Sequence, residues 1–154
     1  MGQGVLPNPP SGVFDGARHL YAVRVYYEDT DLSGIVYHAN YLRWFERARS
    51  DILRMLGIDQ RAAIEAGEGA YAVADVQLAY KRPAKLDDDV LIETRCTAMG
   101  AASVTMAQVA TRAGEVLAEA SLRIGFVAPN GRPRRQPAEW REAFTRILDE
   151  ESQQ

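Results

Sequence analysis

Residues 29–41, DTDLSGIVYHANY, sit between two runs of different periodicity. To the left, YAVRVYY (21–27) alternates as a half-buried strand does. To the right, YLRWFERARSDILRM (41–55) repeats at helical spacing, with Tyr41, Phe45, Ala48 and Ile52 on one face. The joining segment carries two short carboxylates, a Ser-Gly turn and an Asn at the start of a helix. The first turn of a helix holds backbone N–H groups with no intrahelical acceptor. A carboxylate beside such groups is the pairing that hydrolysis of an activated acyl group requires: a base or nucleophile, and donors for the developing oxyanion.

Working outward, residues 20–28 read as the first strand and 40–56 as a helix of about four and a half turns. Gly57 suits the position just past that helix, with Arg54 favourable in its last turn. Residues 59–66 read as a short second helix ending near Gly67. Three or four strands follow, read at 71–81, 89–99, 103–112 and 115–127, and the turns at 100–102 and 113–114 are short enough for antiparallel hairpins. Pro83 closes the first of the four and argues for a sheet edge or bulge there. Residues 139–148 read as an amphipathic helix with Trp140, Phe144 and Ile147 on one side. One long helix facing a curved antiparallel sheet is the simplest way to bury both apolar faces, so the fold class is α+β. Residues 1–18, with their Gly/Pro-rich start, are expected to be a disordered tail, and 19–150 a single domain.

The bulk composition excludes several function classes. A net charge of −3 gives no electrostatic case for nucleic acid. No run of about 18 apolar residues exists to span a membrane. The first dozen residues lack the basic region and apolar core of a signal peptide, so a cytoplasmic location is expected. Cys96 is the only cysteine and cannot form an internal disulfide; in the alternating run 90–96 it reads as a buried thiol. No His/Cys cluster has metal-ligand spacing, and Asp87-Asp88-Asp89 reads as a polar turn, so no metal is expected. Ser33 and Thr30 lack a nucleophile elbow, and no glycine-rich nucleotide motif is present.

The order strand, D-T-D-x-x-G-x-V-Y-H-A-N-Y, then L-x-W-F-E-R-A-R on a helix resembles the hotdog-fold acyl-CoA thioesterases of the 4-hydroxybenzoyl-CoA thioesterase group. Within that group it is most similar to the YbgC branch, bacterial enzymes encoded beside the Tol-Pal envelope system. The resemblance is ungapped across the motif and continues, more weakly, to about Val127. It implies the hotdog fold, a long central helix packed on a curved antiparallel sheet. It also implies hydrolysis of an acyl-CoA to free acid and coenzyme A with no cofactor, the coenzyme being part of the substrate. An acyl carrier protein is the other donor it allows.

Carried over residue by residue, the resemblance puts the essential aspartate at Asp31, as general base or nucleophile; by its local sequence alone Asp31 also reads as an Asx-turn residue fixing the Ser33-Gly34 bend. An aspartate, with a reference pKa of about 3.9, is ionised at neutral pH and ready for either role. The resemblance makes the backbone N–H at His38 the group that polarises the thioester carbonyl. Gly34 would allow close approach of the thioester, Val36 and Tyr37 would shape the channel, and Asn40 and Tyr41 would either cap the helix or touch substrate. Lys81 and Arg82, with Lys85, either offer cations for the phosphates of coenzyme A or belong to a solvated loop. Asp29 reads as a loop-shaping acceptor. Glu46 is the rival carboxylate, since other hotdog thioesterases work from a glutamate on the central helix, but between Arg47 and Arg49 it reads as a salt-bridged structural residue; the cluster Arg132–Arg135 reads as a surface turn, and His19 as incidental.

A sheet of four or five strands leaves an edge to be covered, and the family pairs two subunits there. A dimer or tetramer is therefore expected, with the Asp31 loop of one copy against residues near Arg82 of another, and with aromatic residues such as Trp44, beyond the stripe of Tyr41, Phe45, Ala48 and Ile52, and Tyr41 at its start available to that contact. Two other functions share the same motif: a hotdog dehydratase acting on hydroxyacyl thioesters through His38, and a non-catalytic acyl-thioester binding module of the Tol-Pal envelope system.

Overall fold

The computed structural model describes residues 4–149. Six strands form one antiparallel sheet: β1 (Val13–Asp15), β2 (Arg18–Arg24), β3 (Ala70–Tyr80), β4 (Asp89–Met99), β5 (Ser103–Arg112) and β6 (Glu115–Val127). Their order across the sheet is β1-β2-β4-β5-β6-β3. Helix α1 (Asn40–Met55) packs on one face; α2 (Gln60–Glu65) contacts the edge strand β3 and α3 (Ala138–Arg146) contacts β4. Alternation decides which strand residues face α1: Val90, Ile92, Thr94 and Cys96 on β4 are buried, as are Val104, Met106, Gln108 and Ala110 on β5. They meet the apolar stripe of α1 and form one continuous core.

The C-terminal end of α1 follows from Gly57. Its φ of +80° lets the chain turn back. The Gly57 N–H then donates to Arg54 O at 3.1 Å and the Ile58 N–H to Leu53 O at 2.9 Å, the paired bonds of a Schellman motif. Helix α2 is capped by Asp59, whose carboxylate accepts the Ala62 N–H.

Four sequence expectations need correction. The expected disordered tail, 1–18, is ordered in its second half, residues 1–3 lying outside the described residues. Val13–Asp15 pairs with β2 through the two-residue turn Gly16-Ala17, a glycine-first hairpin signal overshadowed by the Pro-rich run before it. The first strand ends at Arg24 rather than near residue 28, because the Asp29 carboxylate captures the Tyr26 N–H at 2.8 Å and folds Tyr27–Asp29 into a 3₁₀ turn. Trp44 does not lie beyond the core stripe. It is 2% exposed, as is Tyr41, because positions 41, 44, 45, 48 and 52 form one face. His19 is not incidental either: it is fully buried, with Nε2 2.8 Å from Asp51 of α1.

Candidate active site

The Asp31 loop is closed at its base by backbone bonds. The Asp31 N–H donates to Ile35 O at 2.8 Å, and Thr30 bridges Val36. Gly34 makes the return with a φ of +83°. The loop is stitched to the segment after β3: the Val36 N–H donates to Ala84 O at 2.8 Å, and the Ala84 N–H to the Tyr41 hydroxyl at 3.1 Å. Arg112 braces that segment from β5 with bonds to Pro83 O at 3.2 Å and Asp88 Oδ2 at 2.7 Å. Asp88 also accepts the Lys85 N–H at 2.8 Å. Desolvation pushes the Asp88 carboxyl up, but the Lys85 amide and the Arg112 guanidinium together hold it below the usual range. Asp87-Asp88-Asp89 is a polar turn, and Asp87 takes a φ of +70°.

Asp31 itself is exposed. Its Oδ1 accepts both the Ser33 hydroxyl and, at 2.8 Å, the Ser33 N–H. The hydroxyl first and the amide second stabilise the charged form, so the carboxyl titrates below its ordinary value. Asp31 is therefore a carboxylate at neutral pH.

Asp29 is engaged on both oxygens. Oδ1 accepts Asn40 Nδ2 at 2.7 Å, Oδ2 accepts the Tyr26 N–H, and its carbonyl accepts the Tyr37 N–H at 2.9 Å. Asn40 is buried and gives its amide to this clip. The side-chain cap considered for Asn40 is not formed: the residue at the cap is Ala39, with no side-chain bond.

A cleft of about 280 Å³ opens at the start of α1, lined by Val36, His38, Tyr41, Tyr80, Lys81 and Arg82 among others. Five positions singled out in the sequence thus meet at one place, with Gly34, Tyr37 and Asn40 on the connecting loop and turn. The cations near Arg82 line this cleft within a single chain, without a second copy. Lys81 and Arg82 are held only loosely, 3.7 Å from Glu119 and Glu115 respectively. Tyr37 is half-exposed and its ring lies 4.5 Å from that of His38.

Tyr80 is the residue that sequence reasoning missed. Its hydroxyl donates to the His38 carbonyl at 2.6 Å, and its ring stands edge-on to Tyr41 at 5.6 Å. Its place at the end of a strand, next to two cations, was the available signal. Glu46, expected to be salt-bridged, is exposed and forms no ion pair within 4.0 Å among the described residues. It edges a separate cavity of about 190 Å³ between α1 and the sheet, with Arg49, Tyr71 and Met106. Within the expected surface cluster, Arg134 is structural, donating to Glu68 O at 2.6 Å. Among the described residues, no group of three His, Cys, Asp or Glu side chains is placed to hold a metal, and no helix is long and apolar enough to cross a membrane.

The family model described as "Thioesterase superfamily" matches residues 33–119. An acyl-CoA thioesterase YbgC of Haemophilus influenzae is 39% identical over 107 residues, covering 70% of this chain and 79% of that protein. An acyl-CoA thioester hydrolase YbgC of Escherichia coli is 39% identical over 110 residues, covering 71% and 81%. Among solved structures, a probable thioesterase from Bartonella henselae superposes with a TM-score of 0.74 at 35% identity, covering 78% of this chain and 99% of that one.

Proposed function

The chain belongs to the thioesterase superfamily, and on that footing we propose that it hydrolyses acyl-CoA thioesters to a free acid and coenzyme A, with Asp31 and the start of α1 as the chemical centre. One observation carries this reading: an ionised, exposed carboxylate, Asp31, on a loop whose Ile35 and Val36 line the cleft and which Asp29 ties to the turn leading into α1. The His38 N–H donates to no acceptor among the described residues, and it lies just before the positive end of α1, which begins at Asn40. It is the oxyanion donor in this scheme.

Two routes use the same atoms. In the first, Asp31 Oδ2, the oxygen that Ser33 leaves alone, takes a proton from water as the water oxygen bonds to the thioester carbon. The carbonyl electrons move onto the oxygen facing His38. They return as the carbon–sulfur bond breaks, and the coenzyme A thiolate leaves and takes up the proton. In the second, Oδ2 itself attacks, thiolate leaves, and water then cleaves the resulting anhydride. Lys81 and Arg82 hold the phosphates of the coenzyme at the rim, and Val36, Tyr37 and Tyr41 line the path of its arm. An acyl carrier protein would present the same arm without the nucleotide, so those cations favour coenzyme A. No cofactor enters either route.

The working unit in this reading is at least a dimer in the cytoplasm. β3 is an eleven-residue edge strand. Val73, Val76 and Tyr80 on it are 47%, 40% and 46% exposed. An edge of that length is a template for pairing with another copy.

The test is thiol release from a panel of acyl-CoAs differing in length and aromaticity, on protein sized by light scattering. Release of free coenzyme A by a species of two or four chains is the expected result. Dehydration of a hydroxyacyl-CoA without thiol release would instead make the chain a dehydratase. Binding without turnover would make it a binding module, and an active single 17.1 kDa chain would end the dimer reading.

A further inference from the structure

Two peptide units lead into α1, and each is held by its carbonyl. The Tyr37 carbonyl accepts the Asn40 N–H at 2.8 Å. The His38 carbonyl accepts the Tyr80 hydroxyl at 2.6 Å, a bond between residues 42 apart in the chain. In a trans peptide the N–H points opposite to the C=O. Fixing the Tyr37 carbonyl therefore aims the His38 N–H, and fixing the His38 carbonyl aims the Ala39 N–H. Neither N–H donates to an acceptor among the described residues.

The His38 carbonyl is open to Tyr80 for a local reason. In a regular α-helix it would accept the Leu42 N–H. Here the Leu42 N–H turns to Ala39 O at 3.1 Å instead, and a side chain from β3 takes the vacated place. The donor keeps its proton through the neutral range, since an ordinary phenol titrates at about 10 and burial pushes Tyr80 higher still.

We propose that Tyr80 is a positioning residue for thioester hydrolysis: by donating to the His38 carbonyl it locks the His38–Ala39 peptide, so that the Ala39 N–H serves as a second oxyanion donor beside that of His38. The inference rests on the reading of the α1 start as the oxyanion site. A hydrogen bond at the carbonyl also polarises the peptide and strengthens its N–H as a donor. The two donors are thereby set by different parts of the fold, one by the helix turn and one by the edge strand. Tyr80 acts only through the peptide and touches no reacting atom.

Tyr80→Phe tests this, because the ring keeps its place against Tyr41 and against His38, 6.2 Å away. Losing an oxyanion donor outright costs about 10²–10³ in rate; loosening one should cost less, on the order of tenfold. Thiol release from an acyl-CoA that the wild type hydrolyses should show kcat down about tenfold with KM within about twofold. The Ala39 amide ¹⁵N resonance should move upfield as its carbonyl partner is lost, and the melting temperature should hold. A kcat within twofold of wild type, a loss confined to KM, an unmoved Ala39 resonance or a loss tracking a lowered melting temperature would each overturn the proposal. Asp31→Asn, run in parallel, separates the two failures. If it retains wild-type kcat the site reading falls, whereas an inactive Asp31→Asn beside a fully active Tyr80→Phe removes Tyr80 alone.

Discussion

Replacing Asp29 should disable the protein without touching the reacting groups. Its two carboxylate oxygens serve different partners, Asn40 Nδ2 at 2.7 Å and the Tyr26 N–H at 2.8 Å. Asn40 is 7% exposed. Asp29→Ala therefore leaves a buried amide without its acceptor, which costs about 1–3 kcal/mol. The Tyr26 N–H is at the surface and recovers water, so its loss adds about 0.5 kcal/mol or less. A total of about 1–3.5 kcal/mol corresponds to a fall of roughly 2–14 °C in melting temperature for a domain of this size. Asp29→Asn should be intermediate: its one carbonyl oxygen can serve one partner, while its NH₂ must face the other donor. Because the clip ties the start of α1 to the Asp31 loop, kcat should fall in both variants below the temperature at which they melt. Calorimetry and thiol release on the same preparations measure both effects. An Asp29→Ala protein that melts within about 1 °C of wild type, with full activity, would refute this account of the loop.

Other outcomes follow from groups away from the cleft. Deleting residues 1–10 should leave the melting temperature unchanged, whereas deleting 1–17 should lower it by several degrees, because β1 covers His19 and Asp51 accepts the Gly12 N–H at 2.9 Å. Burial, outweighing the nearby Asp51 carboxylate, lowers the His19 pKa in the folded state. The unfolded chain then binds more protons, so this contribution is present above pH of about 6.5 and is lost as pH falls below it; melting temperatures between pH 7.5 and 5 should show the decline, and His19→Leu should flatten it. The Cys96 thiol, pushed by burial up to about 12, should resist maleimide at pH 8 in the native protein and react once unfolded, as mass spectrometry would show.

The features that periodicity governs were legible in the sequence. β4, β5 and β6 begin and end where alternation and the short turns at 100–102 and 113–114 place them, and α1 differs from its expected span only at Leu56. In the site, the loop, the helix start and the cations at 81–82 could be named because they are contiguous or motif-borne. The bonds that join them could not. Tyr80 to His38, Arg112 to Pro83 and His19 to Asp51 are side-chain contacts between distant segments, and neither residue of such a pair carries a local sign of the other. Trp44 was misplaced for a simpler reason. A stripe drawn through 41, 45, 48 and 52 is narrower than the face a helix buries against a sheet, and Trp44 falls inside the wider one.

The central claim is that the Asp31 carboxylate performs the hydrolysis, and Asp31→Asn with thiol release from an acyl-CoA tests it most directly. The side chain is exposed and its size barely changes, so the fold should persist with an unaltered melting temperature. The amide can neither take a proton from water nor attack the carbonyl, and kcat should fall by about 10²–10⁴. A folded Asp31→Asn protein turning over at the wild-type rate, with Glu46→Gln inactive, would contradict the account and move the chemistry to the helix.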